Sequence, residues 1–213
     1  MTSAANLSRK DRERQQHRQE ILSVARQLFA EKGFYNVSMH QIAAAAEFAT
    51  GTLYNFFPSK EDLFFDLLVA SAQDALGLVL PVLDGPGDER QRLSKFIRLH
   101  ERVAREQSAA IQLYLLENRW RYVPGARVEA KKKELHEDLI RRLSRVIAAG
   151  VRKGLFNRID PLVAARCLSA TLESVVIAFV EGPQASNLKR DLQKVEAVFF
   201  NGFLKSSRDR RDA

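Results

Sequence analysis

Apolar residues along this chain recur every three to four positions in runs separated by short polar gaps, a rhythm that belongs to α-helices. The first stripe is Ile21, Leu22, Ala25, Leu28 and Phe29, and it ends at Gly33 after a final turn containing Lys32. A glycine there suits the left-handed conformation that closes a helix. Two short segments follow, SMHQIAAAA (Ser38–Ala46) and TGTLYNFF (Thr50–Phe57), with three residues between them. Ser38 with Gln41, and Ser59 with Asp62, have the spacing of capping boxes, so helix starts are marked on both sides of this pair. A strongly apolar helix from about Lys60 to Leu80 carries Leu63, Phe64, Leu67, Leu68, Val69 and Leu76, and is expected to stop at Pro81.

Beyond the loop Asp84-Gly85-Pro86-Gly87-Asp88, the periodicity predicts helices at about 88–106, 108–121 and 125–153. Asp160-Pro161 places a capping side chain before a proline at the first helical position, opening a helix to about Glu181 that Gly182-Pro183 terminates. Asn187 is placed to cap a last helix with the stripe Leu188, Leu192, Val195, Val198, Phe199 and Phe203. No alternating strand pattern, hairpin signal or repeat period is present. The expected fold class is all-α, with about nine helices.

Helices as short and close as Ser38–Ala46 and Thr50–Phe57 can cross steeply and push the second outward into a DNA groove. Composition agrees without identifying a partner. The 213-residue chain carries a formal charge of +8, which favours a polyanion. Its 46% hydrophobic and 28% charged content is ordinary for a soluble globular protein. One cysteine, Cys167, excludes an intramolecular disulfide framework and a Cys-rich zinc site, and its apolar surroundings in sequence predict a small core residue. The N-terminus is polar and lacks the apolar segment of a secretory signal. The longest purely apolar stretches, such as Val175–Val180, are far short of a membrane span. A cytoplasmic protein with no membrane partner is expected.

Chemistry for catalysis is missing from the pattern. His17, His40, His100 and His136 are scattered, and where His136-Glu137 begins a zincin-like string Ile140 stands in place of the second histidine. There is no phosphate-cradling glycine run and no nucleophile elbow. The expectation is no enzyme, no cofactor and no metal.

The string LFAEKGFYNVSMHQIAAAA…GTLYNFFPSKEDLF resembles the N-terminal DNA-binding domain of the TetR family of bacterial transcriptional regulators, densely over roughly residues 18–66. The resemblance implies a homodimer that sets one helix-turn-helix per subunit into a major groove of a pseudo-palindromic double-stranded operator. Its domain plan is a flexible basic arm over 1–14, the DNA-binding domain over 15–65, an effector-binding and dimerisation domain over 66–205, and a disordered tail over 206–213. A ligand-responsive repressor, released by a small lipophilic effector, is the implied function. Alternatives are a DNA-binding regulator without an effector, or a helical protein-interaction module.

Within the motif, Ile42, Leu53 and Phe57 are spaced to face inward and lock the two helices together. Thr50, Gly51, Thr52, Tyr54 and Asn55 then fall on or near the outward edge of the second. Thr52 and Asn55 can hydrogen-bond base edges, asparagine being suited to adenine. Tyr54 and Lys60 look like the family's phosphate-contacting residues, although Tyr54 also fits an amphipathic core aromatic. His40 either donates to a base or phosphate or is a solvated surface histidine; Ser38 either caps its helix or reaches a phosphate. Relatives carry AGVSxGTLY where this chain has AEFATGTLY. Glu47 thus replaces the turn glycine, at a cost of about 1 kcal/mol if positive φ is still required. Ala49 removes the usual cap, leaving Thr50 to cap one position later.

Candidate effector residues among the middle helices are Phe65, Phe96, His100, Val103, Leu113, Tyr114, Glu117 and Trp120, apolar bulk with a few polar handles. Candidate dimer residues are Leu172, Val176, Phe179, Val195, Phe199 and Phe203 on the last two helices. Each of these also fits an intramolecular core. Residues 119–158 hold twelve Lys/Arg against four Asp/Glu, either a second anion-binding surface or a solvated helix face.

Overall fold

The computed structural model describes residues 8–120, 125–182 and 187–203, excepting the side chains at 114, 116–120, 125–129, 132 and 203. Among the described residues there are nine α-helices and no strand. They are α1 (Arg9–Lys32), α2 (Met39–Ala45), α3 (Thr50–Phe56), α4 (Lys60–Leu83), α5 (Glu89–Glu106), α6 (Ser108–Trp120), α7 (Gly125–Arg152), α8 (Pro161–Glu181) and α9 (Leu188–Phe203). The chain forms two compact units: residues 1–70 with 112–128, and residues 71–111 with 129–213. The first unit therefore takes back a segment well beyond residue 65, because Leu113 is buried in its core. The tail expected over 206–213 lies outside the described residues.

Helix ends follow the capping chemistry. The Gln41 N–H donates to Ser38 Oγ while Gln41 Oε1 accepts from the Ser38 N–H, a reciprocal box. Ser59 Oγ accepts from the Asp62 N–H at 3.0 Å and donates to Asp62 Oδ2 at 2.8 Å. Asp160 Oδ1 accepts from the N–H groups of Leu162 and Val163, and Asn187 Oδ1 from that of Arg190. Gly33 takes φ 80° and closes α1 through its N–H to Phe29 O.

Four expectations are corrected here. The flexible arm is not seen at residues 9–14: Ser8 Oγ accepts from the Asp11 N–H, and Arg9 pairs with Glu13 one turn on, so α1 begins at Arg9. Pro81 does not end α4, since it sits in the last turn, where burial of Val79 and Leu83 carries the helix through. Cys167 is exposed rather than core, because α8 turns Ala164, Ala165 and Leu168 inward and leaves position 167 on the opposite face. Finally, α4 and α8 are long and apolar enough to match a membrane span by length and composition, with mean hydropathy 1.7. The apolar residues that give them this profile include Leu63, Phe64 and Leu67 of α4 and Leu168, Leu172 and Val176 of α8, all packed in cores.

The first core joins α1 to α4 and α6, with Leu53 and Phe57 fully buried and the Phe29, Phe34 and Phe64 rings 5.0–5.7 Å apart. The second is built from α4, α5, α7, α8 and α9. Polar clasps tie its helices together: Glu196 of α9 accepts from Ser94 Oγ at 2.6 Å and from the Arg98 guanidinium at 3.1 Å, and buried Glu89 meets Lys153 at 2.6 Å. Although burial opposes its charge, the hydrogen bonds from Arg98 and Ser94 hold the Glu196 carboxyl below its usual range. The described cations of the basic 119–158 segment are largely paired: Lys131 with Glu134, Lys133 with Glu137, Arg141 and Arg142 with Asp138, Arg142 with Asp84, and Lys153 with Glu89. That is the behaviour of a solvated helix face.

Gly150 and Gly77 separate two effects of glycine. A Cβ on Gly150 would come within 2.1 Å of the buried Phe156 ring, whereas at Gly77 nothing lies within 4 Å. Gly150→Ala is expected to destabilise by about 1–3 kcal/mol through overpacking. Gly77→Ala, in the exposed interior of α4, should stabilise by about 0.5–1 kcal/mol. Denaturant unfolding of the two variants checks the opposite signs.

Candidate nucleic-acid interface

The reading head is set by the turn between α2 and α3. Ala46 ends α2, and Glu47 follows at φ 60°, the only positive-φ residue other than glycine among those described. Its N–H donates to Ala44 O at 3.2 Å and the Phe48 N–H to Ala43 O at 2.9 Å. These are the two bonds of a Schellman motif, which satisfy the last carbonyls of α2 and require a left-handed residue at this position. Phe48 completes the motif from the apolar side, packing on the first core with its ring edge-on to His17 at 5.2 Å. The turn has kept its geometry with a side chain where glycine is easier.

Ala49 stands at the N-cap of α3 and provides no side-chain cap. The expected substitute does not form: Thr50 Oγ1 lies 3.1 Å from His40 Nδ1 and makes no cap bond. The pair instead bridges the start of α3 to the first turn of α2. Buried Leu53 and Phe57 fix the inner face of α3, and the outer face is Gly51, Tyr54 and Asn55, all exposed, with Thr52 half-buried beside them. Nothing lies within 4 Å of a Cβ built on Gly51.

Two cations hold this head in place. Arg18 of α1 pairs with Asp66 of α4 and lies 5.0 Å from the centre of the Phe57 ring. Lys60 Nζ donates to the carbonyls of Phe34 at 2.9 Å and Val37 at 3.0 Å and sits 4.3 Å from the Phe34 ring centre. The ammonium expected to meet phosphate is therefore directed mainly at the loop between α1 and α2, which it pins to the start of α4.

A shallow depression of about 440 Å³ gathers Ser38, His40, Thr50, Tyr54 and Lys60 from the sequence-predicted set. Gly51, Thr52 and Asn55 lie outside its lining, on the same short helix. Tyr35 and Asn36 also line it and were missed by sequence reasoning. Tyr35 is 56% exposed and Tyr54 48%, which sets two phenols on one small surface. The available signal was an aromatic side chain in the polar gap between a helix-ending glycine and a capping serine.

The other predicted residues fall elsewhere. Phe96 is fully buried, Val103 is buried and His100 is half-buried on α5 of the second unit; Phe65 and Leu113 are buried in the first. The side chains of Tyr114, Glu117, Trp120 and Phe203 lie outside the described residues. Leu172 is 0%, Val176 6% and Val195 7% exposed, within the core of one subunit, so these three have almost no surface to offer a partner. Phe179 and Phe199 are half-buried against the same core. Among the described residues no His, Cys, Asp or Glu cluster has the geometry of a metal site.

Glu47→Gly is expected to stabilise the protein by about 1 kcal/mol, because the backbone already occupies a glycine conformation. Paired urea unfolding curves of the parent and the variant check the sign.

Residues 21–67 match the family model described as bacterial regulatory proteins, tetR family. The chain is 27% identical over 155 residues to the HTH-type transcriptional repressor KstR2 of Rhodococcus jostii, covering 72% of this chain and 75% of that protein. It is 36% identical over 73 residues to the HTH-type transcriptional regulator UidR of Escherichia coli K12, a match confined to 34% of this chain and 37% of the relative. A solved TetR/AcrR-family regulator from Thermobifida fusca superposes with TM-score 0.70 at 26% identity, covering 87% of this chain and 97% of the other. Matched in sequence over its reading head and in fold over most of its length, the chain carries a DNA-binding domain of the tetR type on a fold shared with TetR/AcrR-family transcriptional regulators.

Proposed function

We propose that this regulator is a ligand-responsive repressor that binds a pseudo-palindromic operator as a homodimer in the cytoplasm, acting by binding rather than catalysis. The observation that carries the DNA side is the exposed edge of α3, Gly51, Tyr54 and Asn55, set outward by the Glu47 turn and by Leu53 and Phe57 beneath. In this reading Asn55 and Thr52 read base edges, while Tyr54, Tyr35, Ser38 and the His40–Thr50 pair contact phosphates or hold register. The open space over Gly51 allows close approach of the DNA backbone.

For the dimer, support comes from what the core leaves uncovered. On α8, Val163, Cys167, Ala170, Ser174 and Ala178 are exposed at helical spacing, and on α9 Ala197, Val198 and Gly202 are exposed, Val198 at 70%. Small and apolar side chains on one face of a helix suit close packing against a second copy. This face replaces Leu172, Val176 and Val195 as the proposed interface.

The effector is a small, largely apolar molecule. It favours a dimer whose two recognition helices are wrongly spaced for successive major grooves, and the operator is released.

Gel-shift titration on the chain's own upstream DNA tests the operator reading. Affinity should fall steeply between low and high salt, because phosphate contacts release counterions. Thr52→Ala with Asn55→Ala should remove the preference for operator over random DNA while leaving a dimer; full specificity in that variant would move the reading surface elsewhere. In sedimentation, Val198→Asp should shift the protein toward monomer, and an unchanged dimer would reject the α8–α9 face.

A further inference from the structure

The second unit contains a polar feature that the DNA-binding head leaves unexplained. The inner face of α5 is a stripe of Leu93, Phe96, His100 and Val103, continued by Gln107 at the C-terminal cap, with its apolar members in the core. His100 Nδ1 lies 2.9 Å from Phe96 O. A carbonyl can only accept, so Nδ1 carries the proton, and in the neutral ring Nε2 presents a lone pair. Burial pushes the imidazole below the usual histidine value, against the pull of the Phe96 carbonyl. The residue as a whole is only half-buried, between Phe96 and Val103, which are buried.

Gln107 extends the stripe. It is 7% exposed, and its Oε1 has no hydrogen-bond partner among the described residues. Two other orphan atoms belong to this unit: Ser71 Oγ on α4, and Glu89 Oε2, whose companion oxygen is held by Lys153. Gln107 is seven residues after His100, so the two lie on one helix face about 10.5 Å apart along the axis. An unpaired buried acceptor costs free energy that a ligand donor would recover.

We infer that α5 reads its effector through His100 Nε2 and the Gln107 amide, which accept hydrogen bonds from an elongated, neutral, apolar molecule with a donor group at each end. The class is diol-like, a hydrocarbon body with terminal hydroxyl or N–H groups, and not a free carboxylate. A carboxylate would face the Nε2 lone pair and require a protonated imidazole, which the apolar surroundings oppose. This inference rests on the effector-responsive reading above and specifies its ligand class.

The probes are the α,ω-diol of octane, octanol and octanoate, titrated against the full chain by thermal shift and calorimetry. The diol is expected to bind at least about fivefold tighter than octanol, one hydrogen bond's worth, and octanoate weakest. Gln107→Leu and His100→Phe should each reduce the diol to the affinity of octanol. The order of the three probes on the unmutated protein decides the matter even if a variant fails to fold. Octanoate binding as tightly as the diol, a diol preference surviving both substitutions, or binding by none of the three overturns the inference. Gel shifts on the same preparation without ligand report separately on operator binding, so loss of the regulator reading is distinguishable from loss of this site.

Discussion

Everything specific about this molecule's reading head depends on one backbone constraint, the left-handed residue between α2 and α3. With φ at 60° on Glu47, the N–H groups of Glu47 and Phe48 turn back onto the carbonyls of Ala44 and Ala43. That closes α2 and fixes the direction in which α3 departs. Leu53 and Phe57 can then reach the core only by facing inward, which leaves Gly51, Tyr54 and Asn55 facing out. A residue other than glycine holds this conformation because two hydrogen bonds and the packing of Phe48 over-determine it. In the proposed operator complex the resulting carboxylate lies beside the DNA-contacting edge and works against non-specific affinity.

Much of this was legible in the sequence because the informative residues act locally. Ser38 with Gln41, Asp160 before Pro161, Asn187 and Gly33 bond to backbone within four residues of themselves, so spacing alone reveals them. The misreadings occurred where distant partners decide. Pro81 signals a stop, but the core around Val79 and Leu83 outweighs one missing backbone bond. Lys60 reads as a phosphate ligand in sequence, and only the fold shows that its ammonium also donates to Phe34 and Val37, more than twenty residues earlier. Thr50 is a plausible cap in isolation, yet His40 lies within hydrogen-bond distance of its hydroxyl.

The same logic governs the second unit. An apolar stripe says which face of α8 or α9 is buried, but not whether a neighbouring helix or a second subunit covers it. Leu172, Val176 and Val195 are covered from within, and the smaller residues on the opposite face, Cys167 and Ala170 among them, remain outside. The most hydrophobic positions therefore build the subunit, and the less conspicuous ones stay exposed on the face proposed for assembly. On α5 and its C-terminal cap, His100 and Gln107 interrupt an otherwise apolar face, and the effector site inferred above rests on them.

Hydrogen exchange by mass spectrometry, with and without the chain's upstream DNA, addresses the central claim most directly. The account predicts that DNA slows exchange in the loop at 34–38 and through α2 and α3, with no comparable effect on the basic face of α7. Protection concentrated on α7, with α3 unchanged, would contradict it.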